Sequence, residues 1–481
     1  MSPTLRVTSG NAEQPEWKKY KHYSIPVDPL QHDRATEINV CHFERPHMRA
    51  FHYSWWAFFI AFFIWFAIGP LLPEIRDDLN ITNEDLWTSS VAAVGSTIVV
   101  RIVVGPLCDL FGARVIFAFL LCAASIPAAC TGLIHSARDL IILRGCIGIA
   151  GGTFVACQYW TSVMFTREVV GTANALAAGW GNLGAGVTQI VIGSLLFPLF
   201  KVIWGGDSER AWRTVSIVPA LVAFVTGIMV YRYSDDCPKG NYSELKKRGT
   251  MGHPSFWKSL WNGAANVNTL ILSLQYACCF GVELTMNNAA ALYFIDEYGQ
   301  SPQSAAAIAS IFGWMNLFAR GVGGFWSDYG YVRKGMKGRL QIHFLMLVGE
   351  GIMILIFNQT GTLAGSVMVM IVFSLFVQAA EGTTYGIVPY VDRKYVGSVS
   401  GIVGAGGNVG ATAFGLVFRN LEYETAFLIM GASILFSSLL TVCVSIEGES
   451  DLWTPTRTTV ADNPQEDEVL LDMETSKRKK Q

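Results

Sequence analysis

Apolar stretches of bilayer length recur along this chain from Trp55 to Ser445, separated by short polar breaks. About 20 consecutive apolar residues are enough to cross a hydrocarbon core as a helix. Twelve such spans are predicted, near 53–73, 87–107, 114–133, 139–163, 170–197 and 212–232, then 267–294, 302–325, 340–358, 361–386, 396–418 and 425–446. A polar segment with five basic residues separates the two sets of six. The pattern predicts a tail over 1–52, a six-helix bundle over 53–232, a loop over 233–266, a second bundle over 267–446 and a tail over 447–481. The expected fold class is an all-α membrane protein, twelve helices in two pseudo-symmetric six-helix bundles.

Composition sharpens this. The chain has 481 residues, 51% hydrophobic and only 15% charged, where a soluble protein carries about 25% charged residues. The first apolar run is long enough to span, so it reads as a retained helix and not a cleaved leader. Lys239, Lys246, Lys247 and Arg248 in the central segment, with Arg333, Lys334, Lys337 and Arg339 and then Arg393 and Lys394, crowd basic residues onto one side. The positive-inside rule then places that side, with both termini, in the cytoplasm of a cell whose plasma membrane holds the protein. Neither tail shows periodicity, and both are expected to be solvated. The second ends in Lys477-Arg478-Lys479-Lys480 beside Thr475 and Ser476, a candidate for phosphorylation or attraction to anionic lipid. Nucleic-acid binding has no footprint. Most cysteines fall in spans and none has metal spacing, so no metal or cofactor is expected.

Two arginines interrupt the apolar pattern in the same way. Arg101 is followed by Gly105 and Asp109, and Arg320 by Gly324 and Asp328. The aspartates fall at span ends, which puts each arginine about 12 Å deeper by helical rise, near the middle of a core about 30 Å thick. A guanidinium stays charged there and must meet a carboxylate, backbone carbonyls or a bound anion. Glu283, Glu350 and Glu381 are the carboxylates available in spans. A purely structural pair needs one arginine and one acid. Two arginines in equivalent places favour a shared anion site.

Other candidates follow the same duplication. Span 5 carries Gly179-Trp180-Gly181-Asn182-Leu183-Gly184, and span 11 carries Gly404-Ala405-Gly406-Gly407-Asn408-Val409-Gly410. Small residues let membrane helices approach closely, and Asn182 and Asn408 offer amides at depth. Tyr276 and Phe280 share one face of span 7, which alone says no more than packing. Arg144 has no equivalent in the second half and reads as packing or gating. Glu283, Glu350 and Glu381 are candidate proton carriers. The eight histidines, His343 among them, are read as lying outside the depth of the spans, so a histidine relay or haem ligation is not expected.

The stretch from Gly105 through Asp109 to Arg114, with its partner from Gly323 through Asp328 to Gly330, resembles the paired loop signature of the major facilitator superfamily. The glycine-asparagine runs of spans 5 and 11 resemble the signature motifs of its nitrate/nitrite porter branch. Phe280-Gly281-Val282-Glu283 and the short central loop look more like the algal and plant high-affinity members than the fungal ones. The resemblance covers about 53–446. It implies that Arg101 and Arg320 bind nitrate, with Tyr276 and Phe280 enclosing the anion and Asn182 and Asn408 near its path. It also implies proton symport and, in many members, a small single-span accessory protein. Rival readings are a nitrate/nitrite exchanger, a porter of another oxyanion, and a sensor that does not transport.

Overall fold

The computed structural model describes residues 23–252 and 254–453. Twelve helices have the length and apolarity to cross a membrane: His47–Leu79, Glu84–Phe111, Ala113–Leu133, Ala137–Met164, Val170–Ile203, Ser208–Tyr233, Val267–Tyr298, Ser304–Lys334, Met336–Asn358, Leu363–Val391, Val396–Asn420 and Tyr423–Cys443. These are spans 1–12 below; spans 1–6 form the first half and spans 7–12 the second. A helix satisfies its own backbone in lipid, which is why these apolar runs take this form. Polar caps set several starts. Thr82 and Asp85 close a reciprocal capping box before span 2, and Asn266 and Thr362 cap spans 7 and 10. Gly299, at φ 60°, turns the chain out of span 7.

Each expected span is present, and the differences lie at the ends. Span 9 begins at Met336 and not near 340, because Arg339 is a buried helical residue held by Asp328 at 2.7 Å. His343 therefore lies inside the helix and is fully buried, against expectation. Its Nδ1 is 2.8 Å from Thr383 Oγ1 and its Nε2 3.1 Å from Gln275 Oε1. Arg114, the first residue of the predicted span 3, is likewise buried and paired with Asp236 at 3.6 Å.

The segment before span 1 is not a free tail from residue 23 onward. Val27–Asp28 pairs antiparallel with Arg34–Ala35. Ile25 and Ala35 are buried, and Thr166 N–H donates to the Ala35 carbonyl in the loop between spans 4 and 5. We call residues 23–46 the strap. Arg45 ties it to Asp235 at 2.8 Å. The central segment is also structured, with helices Tyr242–Lys247 and Phe256–Ala265. Trp257 and Trp261 share an exposed face of the latter, as suits a helix lying at a membrane interface. After span 12, Glu449 pairs with Arg393 and Ser450 Oγ accepts from Lys337 N–H. Strap, central helices and residues 447–453 thus gather on one face, the terminal face. Residues 1–22 and the basic end from Lys477 to Lys480 lie outside the described residues.

The halves meet along spans 2 and 11 and along spans 5 and 8. At the terminal face both seams are tight. A methyl on Gly105 would strike the backbone of Gly397, and one on Gly324 the backbone of Gly171. Toward the opposite face the packing of these spans is looser, and a methyl on Gly95, Gly186 or Gly415 would meet nothing within 4 Å. Two carboxylates lock the tight end. Asp109 accepts from the N–H groups of Gly397 (2.9 Å) and Ser398 (3.1 Å) at the start of span 11. Asp328 accepts from those of Gly171 (2.9 Å) and Thr172 (2.6 Å) at the start of span 5. Each half therefore places an anion on the positive end of a helix in the other half.

Candidate functional site

The two arginines converge between the two seams. Arg101 is wholly buried and Arg320 is 1% exposed, so neither reaches toward lipid or water. Both guanidiniums face the ring of Phe154 in span 4, Arg101 at 4.7 Å and Arg320 at 5.9 Å from its centroid. Phe154 lies parallel to Tyr276 (5.9 Å, 18°) and Phe280 (6.1 Å, 13°) of span 7. Tyr385 of span 10 meets Phe154 edge-on at 5.1 Å and donates its hydroxyl to the Ser400 carbonyl. A stack of flat rings from both halves therefore runs between two cations, which favours cation–π attraction at a desolvated place.

The arginines are neutralised differently. Arg320 Nη1 lies 2.6 Å from Glu381 Oε2, and Nη2 donates to the Tyr276 hydroxyl at 2.8 Å. The expectation that the acids would not satisfy these arginines is therefore wrong for Arg320. Arg101 forms no ion pair among the described residues. It donates to the carbonyls of Gly151 (3.1 Å) and Gly404 (2.6 Å), and its Nη2 has no protein partner. The runs Gly151-Gly152-Thr153 of span 4 and Glu381-Gly382-Thr383 of span 10 resemble each other in sequence, the second with an acid where the first has glycine.

Further unpartnered polar atoms lie on the spans that hold these arginines, with Asn408 one turn along span 11 from the Gly404 carbonyl that Arg101 holds. Both ends of the Asn408 amide and the Asn182 Oδ1 lack partners while buried. Buried polar groups are nearly always hydrogen-bonded, so a group of orphans beside a free guanidinium nitrogen marks a place for a polar ligand. Asn182 Nδ2 approaches Glu283 at 3.5 Å, and Asn316 Nδ2 donates to the other Glu283 oxygen. Glu283 thus bridges span 5 of one half and span 8 of the other, one turn beyond Phe280 on the side where the packing is looser.

Not every sequence candidate joins the site. Glu350 is fully buried in span 9 with no partner on either oxygen and forms no contact with the arginines. Arg144 donates to Ser89 and Ser90, both at 2.8 Å, tying span 4 to span 2. The glycines serve close approach. Methyls on Gly181 and Gly184 would overlap Phe58 and Phe59 of span 1, and those on Gly406, Gly407 and Gly410 would overlap span 7, including Phe280. Phe154, Tyr385 and Asn316 were not anticipated. Only the Gly-Gly-Thr and Glu-Gly-Thr correspondence could have pointed to span 4.

Twelve spans in two halves packed around a buried cationic centre are the architecture of a membrane transporter. Over residues 54–415 the chain matches the family profile of the Major Facilitator Superfamily. It resembles the xylose:proton symporter XylE with a TM-score of 0.62 at 14% identity, covering 84% of this chain and 96% of that one. It is 40% identical over 422 residues to the high affinity nitrate transporter 2.5 of Arabidopsis thaliana, covering 87% of this chain and 83% of the relative. It is 37% identical to nitrate transporter 2.2 of Chlamydomonas reinhardtii, covering 81% and 76%. The chain belongs to the Major Facilitator Superfamily and, within it, to the nitrate/nitrite porter family that includes these plant and algal transporters.

Proposed function

We propose that this protein takes up nitrate, and nitrite with it, together with protons, by alternating access across the plasma membrane. The observation that carries the reading is Arg101, a buried guanidinium without a carboxylate, with an unpartnered nitrogen beside an aromatic stack and a second arginine. Nitrate is planar and singly charged. A guanidinium fork matches two of its oxygens, and ring faces match its flat shape. The Asn408 amide supplies a further donor.

Charge at the site orders the cycle. Arg101 and Arg320 against Glu381 leave one positive charge, which one nitrate balances. An ionised Glu283 at the open side would tip that balance negative and repel the entering anion. Glu283 therefore takes up the co-transported proton, and its hydrogen bonds to Asn182 and Asn316 link that event to the meeting of the halves. Release needs the Asp109 and Asp328 clamps to part while the opposite seams close. The basic loops support a cytoplasmic terminal face, with the open side outward. A single-span accessory protein remains a proposed partner on the strength of family alone.

The test is uptake of labelled nitrate in cells lacking their own transporters. Wild type takes up nitrate with an inward current that grows as external pH falls, and Arg101→Lys greatly weakens uptake. Full uptake by Arg101→Lys contradicts the fork, and electroneutral uptake insensitive to pH contradicts symport.

A further inference from the structure

On the terminal face, at the closed end of the seams, lies a cavity of about 690 Å³. Its charged lining is unbalanced. Arg34 comes from the strap, Arg167 from the loop between spans 4 and 5, Lys258 from the central helix, and Arg393 and Lys394 from the loop between spans 10 and 11. The only carboxylate on that lining, among the described residues, is Asp109. Its oxygens are already engaged by Gly397, Ser398 and Ser259. Arg393 is balanced by Glu449. Arg34, Lys258 and Lys394 have no ion pair among the described residues.

The placement of Arg34 is specific. The strap is anchored on both sides of it, by the pairing of Val27–Asp28 with Arg34–Ala35 and by the bond from Thr166 to the buried Ala35. Burial, and after it the cation of Arg167, depress the proton affinity of the Arg34 guanidinium. Ordering a strap to hold Arg34 in a lining whose only carboxylate among the described residues, Asp109, is already engaged is unfavourable unless an anion joins it. The cations come from both halves and from the two segments that cover their junction.

We propose that this cavity binds a compact polyphosphate group, distinct from the transported anion. A monovalent planar ion needs neither this volume nor this many cations, whereas a multiply charged phosphate matches arginine forks and lysine point charges together. The group bridges the halves where they are closed, so it binds the closed terminal face better than the open one and shifts the population toward it. Neither the site nor its test depends on which ion is transported.

The experiment measures thermal unfolding of the purified full-length protein against inorganic pyrophosphate, with sodium chloride at equal ionic strength as reference. In parallel, phosphatidylcholine vesicles with and without phosphatidic acid separate a headgroup source from a soluble one. A saturable stabilisation by either phosphate source is expected. Lys394→Gln, an exposed position, and Arg34→Gln are each expected to weaken the apparent affinity about tenfold or more, as loss of a charge-assisted hydrogen bond does. Arg34→Lys retains most of it and serves as the folding control. Stabilisation no greater than with chloride in both formats overturns the site, and so does stabilisation that the two Gln variants leave unchanged.

Discussion

The two halves of this transporter hold equivalent arginines in unequal surroundings. Arg320 has a carboxylate, Glu381, at 2.6 Å. Arg101 has only carbonyls and ring faces, and the similar run in span 4 has Gly151 in place of the acid. The same fold thus builds one buried cation that is paired with a carboxylate and one that is held by carbonyls alone.

Removing the acid breaks this comparison most severely. Glu381→Ala leaves Arg320 buried and uncompensated, and is expected to destabilise the protein by about 3–5 kcal/mol, read by thermal unfolding in detergent. The clamps make a second contrast. Asp328→Asn strands Arg339 as well as a helix end, while Asp109→Asn strands a helix end and the neutral Ser259 hydroxyl. The first is expected to approach the cost of a broken buried pair, and the second about 1–2 kcal/mol. Equal effects would mean that Arg339 is not held by Asp328. Phe154→Leu removes the ring shared by both guanidiniums. A cation–π contribution of about 0.5–2 kcal/mol translates into a loss of nitrate affinity of about twofold to thirtyfold, measured by titration. Smaller still is Glu350→Gln. With no partner on either oxygen, it is expected to change nitrate uptake by about twofold or less, whereas Glu283→Gln flattens the pH dependence of uptake. A flat profile in Glu350→Gln and a normal one in Glu283→Gln would exchange their roles.

Much of this was legible in the sequence for identifiable reasons. Apolar runs of bilayer length disclose spans because lipid leaves the backbone no other choice. The repeated spacing from Arg101 to Asp109 and from Arg320 to Asp328 disclosed the arginines, because a charge at depth stands out against apolar neighbours. The failures share a cause. Arg339, His343 and Arg114 sit at or near predicted span ends, where polarity reads as surface, but each is buried against polar partners from other segments. The strap reads as a polar tail because it is held by backbone pairing and two small apolar anchors, Ile25 and Ala35, and not by a hydrophobic run. Phe154 is one of 29 phenylalanines, and only its position between two cations sets it apart.

The central claim is that Arg101 holds the anion through a fork that no protein carboxylate occupies. Its most direct test is the nitrate dissociation constant of purified Arg101→Lys beside wild type. Charge is kept and the paired hydrogen bonds are lost, so affinity is expected to fall about tenfold to a hundredfold. An unchanged constant would contradict the account.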